Sequence, residues 1–301
     1  MKLPDLDKLR KSGRISAAAR EHGRQMVKPG ARLEHIVLAV ETMIRDLGGE
    51  PAFPAQMSRN HIAAHYCPHP GDPTEVQATD IVKLDLGTHV DGWVTDTATT
   101  VDLQGGPDSA LVAASRMALD NAIAVMGPGA SITEIGRQIE TTIKAFGFNP
   151  IYNLTGHGVA PFVIHCAPSI PNYPDPKAGR LRPHQMIACE PFACDGRGHI
   201  ECDGEPQVFG IQGKLATAKL PADVLAAVEK MQGLPFARRS LLRELGSNRR
   251  VEEALALLRK AKVLLDYPPL VERKGVRVAQ TEHTVYIHED SAEVLTLKAE
   301  G

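Results

Sequence analysis

The chain has 301 residues, 43% apolar and 23% charged, which is enough to bury a sizeable core and excludes a disordered, collagen-like or coiled-coil protein. Thirty-four basic against 36 acidic side chains leave a net charge of −2. This excludes whole-chain attraction to nucleic acid or a membrane, so neither a specific DNA partner nor a membrane surface is expected.

The first residues, MKLPDLDKLRKSGR, alternate charges and offer no apolar core for a signal peptide, and nowhere do 18 apolar residues run uninterrupted. The five cysteines are odd in number and form no C-x-x-C pair, which suits reduced thiols. A cytoplasmic protein is the expectation.

Residues 29–51, PGARLEHIVLAVETMIRDLGGEP, align on residues 128–150, PGASITEIGRQIETTIKAFGFNP, with nine of 23 positions identical. Each copy reads as a Pro-Gly entry, an amphipathic helix and a glycine stop followed by proline. Each then runs on to a histidine, His65 or His165, and to a short apolar strand carrying one acid, Asp85 or Glu190. Two αβ halves packing in one core account for the helices but not for the acids.

Asp85 and Asp96 lie in IVKLDLGTHVDGWVTDTATTV, two β-rich runs around Asp91-Gly92, a strong two-residue turn signal. With that pair as the loop, every opposed pair of residue numbers sums to 183, and Asp96 faces Gly87. Asp85 and Asp96 are then diagonal neighbours on one face, roughly 7–8 Å apart at the backbone, and can meet over a cation. Two surface aspartates on a solvated hairpin is the alternative reading of this segment alone.

Three later segments add to the pair. His157 stands between two glycines in LTGHGV, where other groups can approach closely. Glu190 ends the apolar run MIAC before Pro191, and Glu282 lies in the strand-like VRVAQTEHTVYI on the same face as Gln280 and Thr284. Four carboxylates balance two divalent cations, and an oxygen-rich set with one imidazole suits manganese, iron or cobalt.

Residues 161–183 carry six prolines and are expected to form an extended loop. Residues 222–265 are Ala-, Leu- and Arg-rich, reading as helices near 222–232, 235–245 and 250–265. Nine basic and five acidic side chains give this segment a charge of +4, a solvated basic face or a site for an anionic partner.

In order and spacing, KLDLGTHVDGWVTD, TGHGV, ACEPFA and QTEHTV resemble the motifs of type II methionine aminopeptidases of the pita-bread metallopeptidase family, archaeal-like because no long charged extension precedes them. The resemblance covers nearly the whole chain. It implies an α+β pita-bread fold with duplicated αβ halves around a curved antiparallel sheet, residues 1–207 and 268–301 forming the catalytic domain. A helical subdomain, 208–267, is inserted before YPPL.

It implies two divalent metal ions (Co, Mn, Fe or Zn) held by Asp85, Asp96, His157, Glu190 and Glu282. Asp96 and Glu282 would bridge the metals, Asp85 would chelate one, and His157 with Glu190 the other. The N-terminal methionine of nascent chains would be removed by metal-activated hydroxide attack on the first peptide bond. His65 or His165 would stabilise the oxyanion, and Glu190 would shuttle the proton. Phe53, Ile164 and Tyr267 would line the methionine pocket, with His65 and His165 contacting substrate. One departure from the family's pattern falls at the pocket wall near Val208, where this sequence reads GEPQVFG. A monomer is expected, with a ribosome contact through the basic insert, Arg238, Arg239, Arg249 and Arg250 being the side chains to test. The rival enzyme is a prolidase, which places a whole domain before its first ligand; the rival from another class is a binding module without catalysis.

Overall fold

The computed structural model describes residues 4–106, 109–213, 215 and 220–297. The two copies of the repeat become helices Leu33–Asp46 and Ile132–Ala145, each of 14 residues. Both enter through glycines of similar positive φ, 84° at Gly30 and 81° at Gly129. Their spaced apolar side chains are buried: Ile36, Val37, Val40 and Ile44 in one, Ile135, Ile139 and Ile143 in the other. Each packs beside a preceding helix, Leu6–Met26 or Ala110–Ala124, so the duplication extends further than sequence identity reveals. Leu6–Met26 starts at Asp5, whose carboxylate accepts the amide of Lys8.

The first half's sheet has the order Glu50–Arg59, Ile81–Val90, Trp93–Asp102. The hairpin falls in the expected register, with Val90 opposite Trp93 and Gly87 opposite Asp96, and its turn residues Asp91 and Gly92 both have positive φ. The second half's five-stranded sheet runs Ala292–Val294, His283–Ile287, Met186–Cys189, Thr155–Ala160, Val163–Pro171. The halves join where Ala98 bridges Glu282, and the Thr100 hydroxyl donates to the Gln280 carbonyl. Both sheets are antiparallel, with helices against them, in an α+β arrangement.

The loop expected over 161–183 is corrected in its first part. Val163–Pro171 is a strand, and prolines 168 and 171 are tolerated because it lies at the sheet edge. The helices of the Arg-rich segment are Ala222–Glu229, Arg238–Leu245 and Asn248–Lys260. The second starts three residues after Pro235 because Phe236 and Ala237 first pair with Phe209 and Val208, and the third stops early because Leu264–Tyr267 is a strand. That strand pairs with Val208–Ile211 and closes the intervening segment, which has its own apolar cluster around Phe209, Phe236, Leu241 and Leu255.

Among the described residues, no helix is long and apolar enough to cross a membrane.

Candidate active site

A cavity of about 510 Å³ opens at the junction of the two sheets. Every metal-ligand and substrate-pocket candidate singled out from the sequence lines it: Asp85, Asp96, His157, Glu190 and Glu282, with Phe53, His65, Ile164, His165 and Tyr267. Asp85 and Asp96 come from the first half's hairpin, His157 from the second half's sheet, Glu190 from the position just after its strand Met186–Cys189, and Glu282 from the segment joining the halves. The carboxylates thus meet where the duplicated halves meet.

His157 reaches this point because its neighbours are glycines. A Cβ on Gly156 would lie 2.5 Å from the Ala188 carbonyl oxygen, and one on Gly158 equally close to that of Ala167. Any side chain there would push the strand Thr155–Ala160 off its partners.

The cluster is electrostatically unfavourable as it stands. Burial pushes the Asp85 carboxyl up to about 7, and Asp96, Glu190 and Glu282 are driven well above the usual carboxylate range by burial first and by one another second. Asp85 Oδ1, Asp96 Oδ1 and Glu282 Oε1 are buried without a hydrogen-bond partner. The Gln280 amide offsets part of this, donating to Asp85 at 3.4 Å and to Glu190 at 3.2 Å, and a hydrogen bond from the Thr97 backbone does the same for Asp96.

His157 adds a directional argument. Its Nδ1 lies 3.3 Å from the Gly158 carbonyl oxygen, which can only accept, so that nitrogen carries the proton. Nε2 therefore presents a lone pair, 3.8 Å from Asp96 and 3.6 Å from Glu190. Burial, reinforced by the His165 ring, lowers its pKa to about 3 and keeps the imidazole neutral. A lone pair facing carboxylates repels them unless a cation lies between, and a neutral imidazole oriented by a carbonyl is the form that binds metal. Ligand atoms of Asp96, His157 and Glu282 all lie within 4.8 Å of one another, so the residues fit a divalent cation.

Filling this site must displace protons. Adding Mn²⁺ to metal-free protein at pH 6.5 is expected to release protons to the buffer, seen as a calorimetric enthalpy that varies with the buffer's ionisation enthalpy. A buffer-independent enthalpy would contradict the raised carboxyl pKa values.

Beside the carboxylates the cavity becomes apolar. Phe53 leans on Gly87, where a Cβ would lie 2.4 Å from the ring. The Tyr267 ring stands edge-on to His65 at 5.8 Å and lies 6.5 Å from His165. Val208, at the wall where the sequence departs from the resembled pattern, is buried and lines the cavity. Sequence reasoning missed Gln56, whose side-chain Oε1 accepts the His65 backbone amide, and Pro235 from the insert; neither residue type announces itself locally.

The two histidines differ in hydrogen bonding. His65 Nδ1 lies 3.3 Å from the Pro268 carbonyl oxygen and must be protonated there, leaving Nε2 as an acceptor. Burial lowers its pKa to about 4. His165 is also lowered by burial, and its ring centroid lies 4.3 Å from that of His157.

An archaeal relative described as a methionine aminopeptidase, from Archaeoglobus fulgidus, is 37% identical over 292 residues, spanning 96% of this chain and 98% of its own. Two solved structures share the fold. The methionine aminopeptidase from Thermotoga maritima superposes with a TM-score of 0.71 at 24% identity, covering 99% of this chain and 98% of that one. A thermophilic Arx1 superposes with a TM-score of 0.82 at 16% identity, covering 100% of this chain and 93% of that one. The family model for metallopeptidase family M24 matches residues 7–289, a span that contains all five converging ligand candidates. By that match and by near full-length likeness to the archaeal relative, the chain belongs to metallopeptidase family M24.

Proposed function

We propose that this pita-bread metallopeptidase removes the N-terminal methionine of polypeptides. One observation carries the reading: four carboxylates, Asp96 and Glu282 buried and Asp85 and Glu190 half-buried, share a cavity with a neutral imidazole and with the side chains Phe53, Ile164 and Tyr267. Asp85, Asp96, His157, Glu190 and Glu282 would hold two divalent cations, whose positive charges would offset four negative ones. When bound, such cations lower the pKa of water and polarise a carbonyl oxygen.

The chain's own groups do the rest. Phe53, Ile164 and Tyr267 receive the unbranched, polarizable methionine side chain and exclude water around it. The first peptide bond is then presented to the carboxylates. Glu190 takes a proton from water and returns it to the leaving amine. His165 donates a hydrogen bond to the carbonyl oxygen as negative charge grows there. His65, with Nδ1 committed to Pro268, accepts an N–H of the substrate instead, so of the two histidines only His165 serves the oxyanion.

Anaerobic titration of metal-free protein with Mn²⁺ or Co²⁺, with Met-Ala-Ser as reporter, tests the reading. Activity that rises to two equivalents of metal supports it. Efficient hydrolysis of Xaa-Pro dipeptides with no action on Met-Ala-Ser would favour a prolidase and overturn it.

The slot is open to a simpler test. Gly87→Ala forces the Phe53 ring to swing, and the expected result is a KM for Met-Ala-Ser raised about tenfold with kcat changed less than about threefold.

The catalytic domain comprises 1–207 and 268–301, with 208–267 as a helical subdomain and a complete site within one monomer. A ribosome contact through the insert rests on fewer charges than the sequence suggests. Arg238 pairs with Glu252, Arg249 with Glu253, Arg250 with Asp223 and Glu253, and Arg239 is buried. Reversing Arg249 and Arg250 is expected to weaken co-sedimentation with ribosomes; unchanged co-sedimentation removes the contact.

A further inference from the structure

Arg239 lies in the first turn of a helix of the insert, yet its guanidinium is buried, 8% of the residue being exposed, and it bonds to the catalytic body. Nε donates to Glu41 Oε1 at 3.1 Å, and Nη2 bonds the same oxygen and the Ala55 carbonyl at 2.9 Å. Nη1 donates to the Cys67 sulfur and, at 3.1 Å, to the Pro68 carbonyl. Glu41 Oε1 also accepts the Ala55 amide at 3.1 Å.

Ala55 lies where the strand carrying Phe53 is irregular. Phe53 pairs with Gly87 and Gln56 with Asp85, so Pro54 and Ala55 together oppose Leu86 in a bulge. A bulge leaves backbone groups outside the ladder, and here Glu41 and Arg239 satisfy both those of Ala55. Cys67 and Pro68 follow His65 closely, while Ala237 pairs with Val208, itself opposite Tyr267. One side chain therefore links the bulge that aims Phe53, the segment carrying His65, and the insert wall of Pro235, Val208 and Tyr267.

The duplication sharpens the point. Glu41 and Glu140 occupy matching repeat positions, each with a cation four residues on, Arg45 or Lys144. Only the first half's glutamate is buried beneath a charge from the insert; Glu140 bonds the Tyr152 hydroxyl instead.

We propose that Arg239, paired with Glu41, is a specificity-determining positioning residue that sets the width of the slot between Phe53 and the insert. The inference rests on the methionine reading of that slot. Arg239→Met alone would leave the buried Glu41 carboxylate with only the more distant Arg45 guanidinium at 3.9 Å, a change that can prevent folding by itself. The decisive variant is Glu41→Gln/Arg239→Met, which removes both charges while leaving an oxygen for the Ala55 amide.

Wild type and double variant are compared on Met-Ala-Ser, Leu-Ala-Ser and Phe-Ala-Ser. The expected result is a preference for Met over Leu reduced about tenfold, carried in KM, with the metal stoichiometry unchanged. A double variant that folds and keeps the wild-type preference, or one that loses only thermal stability, overturns the proposal. If the wild type cleaves none of the peptides, the function reading fails instead. Calorimetric affinities for L-methioninol and L-leucinol then still compare the slot in the two proteins: a changed ratio supports the role of Arg239, and an unchanged one overturns it.

Discussion

Asp85→Asn is expected to abolish peptide hydrolysis and, in the same protein, to raise the thermal stability of the metal-free form. The loss follows from removing a ligand whose cation supplies several kcal/mol to the transition state, about three orders of magnitude or more in kcat/KM. The gain follows from burial. Asp85 titrates near 7 in the folded chain against an ordinary 3.8, so below pH 3.8 the group is protonated in both states and costs nothing. Between 3.8 and about 7 the unfolded chain sheds its proton while the folded chain keeps it, and stability is lost progressively until the pH passes the folded value. The variant lacks this penalty. Its melting temperature should exceed that of the metal-free wild type by a margin that grows from pH 4 to pH 7, reaching roughly 2–6 °C for a chain of this size. With Mn²⁺ present the order should reverse, because only the wild type gains the full binding energy. A variant less stable than metal-free wild type at pH 7 would show that the carboxylate is compensated without metal.

That conflict between stability and chemistry explains which features could be read along the chain. The hairpin was legible to the residue because a two-residue turn fixes register and register fixes faces, so Asp85 and Asp96 could be placed on one face by counting. The repeat was legible because both halves use the same entry and helix pattern. His157 was legible through its glycines. Much of the second half's sheet edge was not: proline argues against a strand only where its missing N–H is needed, and Val163–Pro171 lies where it is not. Nor could the supports of the site be foreseen. Gln280 donates to two carboxylates that lie 195 and 90 positions away, and Arg239 bonds to Glu41 across 198. Such contacts have no periodicity; they exist because buried donors and acceptors must find partners wherever the fold brings them together.

His165→Ala should lower kcat about 10²- to 10³-fold with little change in KM, whereas His65→Ala should act mainly on KM. The distinction comes from two hydrogen atoms. Neutral imidazole has one N–H, and in His65 the Pro268 carbonyl claims it at Nδ1, so Nε2 can accept from the substrate but cannot donate to a developing oxyanion. Protonating His65 would restore a donor, but burial holds its pKa at about 4, and the neighbouring His165 opposes the charge further. His165 lies against the ring of His157 with no carbonyl claiming its proton among the described hydrogen bonds, and can turn its N–H towards the carbonyl oxygen. The pH profiles of the two variants make the test sharper. A wild-type kcat that stays flat from pH 6 to pH 8 agrees with the His65 imidazole remaining neutral throughout. If His65→Ala instead cost the larger factor in kcat and His165→Ala acted on KM, the tautomer assignment would be inverted, and the donor to the oxyanion would have to be sought at His65.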